Sequence, residues 1–224
     1  MNFRIITWDI FKYLLKGAQL SVFIAAVSVF FGVILGTLGA AGKMSKNKLL
    51  NIIATIYVEL FRGTPMMMQI TFAFLALPAL ISKIIGKAIR FKPLLTGIIA
   101  IAINSGAYTT ELIRSGINSV DRGQFEAADT LGLTNYQKMK MVILPQAFKK
   151  ILPPLVSEFI TLIKDSSLLS TIGVVELMKS ATTVGANFYA YLPPLTVASG
   201  IYLVLNLIIS FFSSKLERRL SASD

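Results

Sequence analysis

Between Lys16 and Lys43 the chain carries no charged residue. As an α-helix that interval rises about 39 Å, more than the roughly 30 Å hydrocarbon core of a bilayer. Lipid offers no partner for free backbone amides and carbonyls, so a spanning segment of this length must be a helix that satisfies them internally. Four more apolar runs long enough to span follow, so five candidate spans lie near 14–41, 49–81, 94–113, 148–169 and 191–212. Composition agrees: 54% of the 224 residues are hydrophobic and 15% charged, against about a quarter charged in soluble domains. The expectation is an all-α, polytopic membrane protein with five transmembrane helices, residues 1–224 forming a single transmembrane domain.

Several functions fall away on residue types alone. The chain has no Cys and no His, which removes disulfides, thiolate or imidazole metal ligands and every His-based catalytic scheme. No metal site and no catalytic residue is expected. The net charge of +11 does not signal nucleic acid, because no basic patch is interleaved with exposed aromatics; Lys and Arg at helix ends beside anionic headgroups account for it. No cleavable signal peptide is expected, since the first apolar run is too long for one.

Within the spans, Gly32, Gly36 and Ala40 recur every four residues, a small-residue stripe that lets a second helix approach closely. The second run is interrupted by Glu59, Arg62, Gly63 and Pro65, and Pro65 is expected to kink it. Met66, Met67 and Met68 read as flexible core filling. With an odd number of spans the termini lie on opposite sides. Placing the N-terminus outside puts twelve basic residues inside and eight outside, so the positive-inside bias favours that orientation, with the C-terminus cytoplasmic. The cluster Lys83, Lys87, Arg90 and Lys92 runs against the bias and is expected to form a short amphipathic segment on the outer surface.

The polar interval 115–150 then falls inside. Asp121 suits an N-cap, Gly132 a left-handed helix stop, and Thr134 with Gln137 a capping box; Pro145 marks the next break. The product is two short helices and a tight turn, the first presenting Phe125, Ala128 and Leu131 at helical spacing, with small Ala127 beside them. Two readings stand: a loop shielding its own bundle, or a surface read by a partner.

The spacing Glu126-Ala-Ala, three residues, Gly132, nine residues, Val142-x-Leu144-Pro145 resembles the cytoplasmic loop by which membrane subunits of ATP-binding-cassette importers grip their ATPases; Val142 stands where that family usually has Ile. Glu59-Leu-Phe-Arg-Gly-Thr-Pro65, Asn104-Ser-Gly-Ala-Tyr108 with Glu111 and Arg114, Gly123 to Ala128, and Leu162 to Leu168 with Gly173 are similar to the polar amino-acid branch of that family. The resemblance covers about 19–217. It implies the type I importer permease fold, with a coupling loop at about 116–147 whose ATPase-facing residues are Gln124, Phe125, Glu126, Ala127, Ala128, Leu131 and Gly132. It further implies a bacterial plasma (inner) membrane location and these partners: two ATPase subunits, a second permease subunit, identical or homologous, an extracytoplasmic solute-binding protein and an amino-acid substrate. This chain itself lacks a Gly-x-x-x-x-Gly-Lys-Ser/Thr motif, so no cofactor is expected in it; ATP and Mg belong to the ATPases.

Ionisable residues at membrane depth mark pathways or buried networks. Glu158, Thr161 and Asp165 share one face of the fourth span; Asn104, Tyr108 and Glu111 share one in the third; Glu59 and Arg62 lie one turn apart beside Pro65. An amino acid needs an acceptor for its ammonium, offered by Glu158 or Asp165, and donors for its carboxylate, offered by Arg62 or Asn104. Acidic residues on that face point to a cationic substrate. Each residue has an interhelical network as its alternative, and Glu111 with Arg114 reads as a structural salt bridge. A secondary transporter or channel uncoupled from any ATPase is the alternative function, though its common folds show paired halves and none is visible here. An intramembrane enzyme would have to rest on carboxylates such as Glu158 and Asp165.

Overall fold

The computed structural model describes residues 3–221, apart from the side chains at 216, 217 and 219–221. Among the described residues every regular element is helical: α1 (Trp8–Lys43), α2 (Lys48–Arg62), α3 (Met66–Thr71), α4 (Leu77–Ile85), α5 (Pro93–Asn118), α6 (Arg122–Thr130), α7 (Asn135–Lys138), α8 (Leu144–Asp165), α9 (Leu177–Asn187) and α10 (Leu192–Ser221). Two π-turns, Phe72–Ala76 and Met139–Ile143, join α3 to α4 and α7 to α8 without a break.

Three of these helical segments are long and apolar enough to cross a membrane: Trp8–Lys43, Met66–Ile85 and Leu192–Lys215. Helices α5 and α8, at 26 and 22 residues, have the length, but acidic and basic residues lower their apolar character. The expected second span is not one kinked helix. Gly63, Thr64 and Pro65 separate α2 from α3, because Pro65 cannot donate to the helical ladder and the residue before it is driven out of the helical region.

The tightest packing joins α1 to α5. A Cβ added to Gly32 would lie 2.8 Å from Ser105 Oγ, one on Gly36 2.5 Å from Thr109 Cβ, and one on Gly39 2.2 Å from Thr110 Oγ1. The small-residue stripe therefore does what its spacing predicts, with Gly39 taking a full part. Ser28 donates to the Ile98 carbonyl at 3.3 Å across the same seam. A central apolar cluster collects Ile24 and Ala25 of α1, Ile70 of α3, Ala100 and Ile101 of α5, and Leu162 and Ile163 of α8. Of the three adjacent methionines only Met66 packs on it; Met67 and Met68 are exposed, because they fall on the outward face of α3.

Two further departures from expectation are local. Lys83–Lys92 forms no amphipathic segment of its own: α4 ends where Gly86 turns left-handed (φ 73°), and the Ile89 amide donates to Ser82 Oγ at 2.8 Å to fold the following chain back. Pro145 does not break the chain either. It follows closely on the wide π-turn Met139–Ile143, which takes up the interruption of the hydrogen-bond ladder and keeps the helix continuous from Asn135 to Asp165.

Candidate functional site

The loop between α5 and α8 is built from local caps, as its residues predict. Asp121 accepts from the Gly123 amide at 2.7 Å and starts α6. Gly132 ends it at φ 72°, with the Leu133 amide returning to the Ala128 carbonyl at 3.1 Å. Thr134 and Gln137 form the reciprocal capping box. Lys138 bridges back to Asp129 at 2.6 Å, and Gln146 donates to Gln124 at 3.0 Å, so the loop is tied to the start of α8.

Its two faces are unlike. Ala128 is 2% exposed, and Phe125 packs on a cluster of Ile117, Val120, Ile143 and Ala147. Ala128 packs into its own chain and Phe125 is half-buried against it, so both brace the loop. Gln124, Glu126, Ala127 and Gly132 are exposed, and Leu131 is 78% exposed. Exposed polar and apolar side chains thus stand together on the outward side of α6 and its C-terminal turn.

Inside the helices, the six substrate-site candidates fall into separate places. Asn104, near the midpoint of α5, is buried; its amide nitrogen donates to the Phe61 carbonyl at 3.0 Å and to Gln69 Oε1 at 2.9 Å. Gln69 in turn donates to Phe61, to the Thr64 carbonyl and to Thr64 Oγ1. Together they hold the α2–α3 break, supplying donors to carbonyls that the interrupted helix leaves free. Both Asn104 amide hydrogens are engaged there, which leaves Arg62 as the remaining candidate donor for a substrate carboxylate. Arg62 lies over the Tyr108 ring at 5.3 Å.

Glu59 is mostly exposed and sits 3.8 Å from Lys43. Lys43 also bonds Glu111 at 2.6 Å, and Arg114 bonds the other Glu111 oxygen at 2.8 Å. The Glu111–Arg114 salt bridge is thus present, and Lys43 of α1 extends it into a network at the loop end of the bundle.

Glu158 and Asp165 are partly buried on α8, and neither forms an ion pair among the described residues. Glu158 faces Ser105 of α5 and lies within electrostatic reach of Asp165. Thr161 between them is exposed and donates to the Ser157 carbonyl. Asn104 therefore serves one side of α5, while Glu158 faces Ser105 on another.

One buried carboxylate escaped the sequence. Glu176, fully buried, caps α9 by accepting from the Met178 and Lys179 amides, both at 2.8 Å. It also accepts from Tyr202 at 3.0 Å and from Ser21 at 3.4 Å. It ties α1, α9 and α10 together.

The family described as binding-protein-dependent transport system inner membrane component matches residues 10–222. A putative glutamine transport system permease protein of Rickettsia bellii is 40% identical over 211 residues, 94% of each chain. The arginine transport system permease protein of Bacillus subtilis is 39% identical, over 95% of this chain and 94% of its own. A crystal structure of an amino acid ABC transporter with histidines aligns with a TM-score of 0.86 at 36% identity, covering 93% of this chain and 94% of that one. An inward-facing methionine ABC transporter aligns with a TM-score of 0.76 at 18% identity, a likeness of fold.

Proposed function

The chain belongs to the binding-protein-dependent transport system inner membrane component family and is the permease of an amino-acid ABC importer, and from that premise we propose its cargo, its assembly and its working cycle. It pairs with a second permease subunit, and the two enclose a pathway for polar, mainly cationic, amino acids. Two ATPase subunits, carrying ATP and Mg, dock on the two loops at 116–147, and a solute-binding protein delivers substrate on the opposite face. The N-terminus lies outside and the C-terminus in the cytoplasm. The count of five spans per subunit belongs to this reading, with α2 and the α3–α4 rod making one crossing and α5 and α8 two others.

The observation that carries the cargo assignment is the pair Glu158 and Asp165, two partly buried carboxyls on one face of α8; the neighbouring Lys164 charge acts on Asp165, and Glu158 has no ion-pair partner among the described residues. Unpaired acids at membrane depth are costly and call for a cation; an ammonium or guanidinium that enters supplies it and leaves again. The names of the relatives support amino-acid cargo, glutamine for one and arginine for another.

Energy enters through the loop. ATP closes the ATPase dimer, each loop moves with its ATPase, and because α7 continues into α8 without a break, the movement reaches the Glu158 face directly. The subunits rock outward, then return on hydrolysis and release. Glu158→Gln, reconstituted with its ATPases and binding protein, is expected to lower uptake of arginine and lysine at least about tenfold, from the loss of a charge-assisted hydrogen bond of roughly 1.5–3 kcal/mol, with glutamine uptake less affected. Equal losses for both cargo types, or none, would remove Glu158 from the site.

A further inference from the structure

Arg90 and Lys92, two of the four cations that run against the positive-inside bias, sit at the mouth of a groove. The groove, about 1020 Å³, lies between the end of α2, the α3–α4 rod and the first half of α5. Phe61, Met68, Phe72, Leu95 and Ile99 give it apolar walls, and Arg90 and Lys92 stand on its lining at one end. None of the six substrate-site candidates lines it.

Its few polar groups are already used. Gln69 and Thr64 bond to each other, and Thr96 donates to the Lys92 carbonyl at 3.0 Å. The walls thus offer nothing to a polar solute. Arg90 and Lys92 are exposed and form no ion pair among the described residues. Along α5 the groove runs from Lys92 to Ile103, a rise of about 16 Å, which matches the roughly 15 Å hydrocarbon depth of one leaflet. Its cationic mouth is at the end of α5 opposite the 116–147 loop.

We propose that this groove is a binding site for an anionic phospholipid, with the phosphodiester headgroup between Arg90 and Lys92 and acyl chain lying along Leu95, Ile99 and the α3–α4 rod. Charge complementarity at the mouth and apolar walls of one leaflet's depth select this occupant over a polar ligand. It also gives a role to Arg90 and Lys92 on the unfavoured side. The site rests on the membrane reading of the chain and is independent of cargo and of ATPase coupling.

The purified importer complex in mild detergent, titrated with phosphatidylglycerol or phosphatidylcholine and read by native mass spectrometry, tests it. The native complex is expected to retain phosphatidylglycerol preferentially. Arg90→Gln with Lys92→Gln should weaken phosphatidylglycerol retention about twenty- to thirtyfold, at about fivefold per cation, and leave phosphatidylcholine unchanged. Leu95→Trp, which fills the groove, should weaken both lipids. Equal retention of the two lipids by the native complex, or an unaltered double variant, overturns the proposal. So does efficient disulfide formation between two copies carrying Met68→Cys and Leu95→Cys, which would make the groove a subunit interface. Loss of solute-binding-protein affinity in the double variant with phosphatidylglycerol retention intact would assign the cations to that protein instead. Transport is not among these readouts, so failure of the cargo assignment leaves the lipid result interpretable.

Discussion

In the seam between α1 and α5 glycines meet serine and threonine at distances that leave no room for a methyl group, while the short helices of the 116–147 loop are started and stopped by caps that act on neighbours a few residues away. The seam is specified by what is absent from its side chains, and its partners are about 70 residues away in sequence. The loop is specified by what its side chains donate and accept, and it would take much of its shape alone. The difference separates a part with no room to yield from a part whose short helices are fixed by their own caps. Small residues in lipid let backbones approach closely enough for van der Waals packing to hold helices together. Caps hold a short helix in shape while leaving its outer face free.

The comparison breaks most visibly at Gly36. Gly36→Leu is expected to destabilise the permease by at least about 3 kcal/mol, because the seam has no space to repack; thermal-shift size exclusion in detergent reads this as loss of the monodisperse peak. A normal melting profile would show the seam to be loose. Next comes Glu176→Ala, which strands Tyr202, Ser21 and two amides and should cost on the order of 2–3 kcal/mol. Glu176→Gln retains an acceptor and should recover most of that stability; equal losses would deny the hydrogen bonds their role.

On the loop side the effects shrink. Thr134→Ala removes the capping box and should cost about 1 kcal/mol locally, seen as faster amide exchange across Asn135–Lys138 with the global melting temperature unchanged. Smallest in stability is Leu131→Glu, expected within about 0.5 kcal/mol of the native protein, yet it should release the ATPase subunits during copurification. If Leu131→Glu keeps its ATPases, the exposed face of α6 is not the docking patch.

Much of the loop was legible in advance, because Asp121, Gly132, Thr134 and Gln137 act on neighbours within a few residues. The glycine stripe was legible too, since its period announces a close partner, though only the structure identifies Ser105 and Thr109 as that partner. What stayed hidden depends on long separations or on weak patterns. Gln69 reads as one polar residue in an apolar run until Asn104 is placed beside it. Helix α9 is short and follows Gly173 closely, so it has no span-length signal, and Glu176 reads as a loop acid until Tyr202 and Ser21 close over it. Phe125 rests in part on Ile143 and Ala147, apolar neighbours of its own chain too far along the sequence for helical spacing to reveal.

The π-turn at Met139–Ile143 has one more consequence. A π-turn holds one residue more than an α-turn, and each residue of helix corresponds to about 100° of rotation. The bearing of the Glu158 face relative to α7 is therefore offset by a single inserted residue. The rod from α7 to Glu158 carries that fixed angle, like a key cut into an axle.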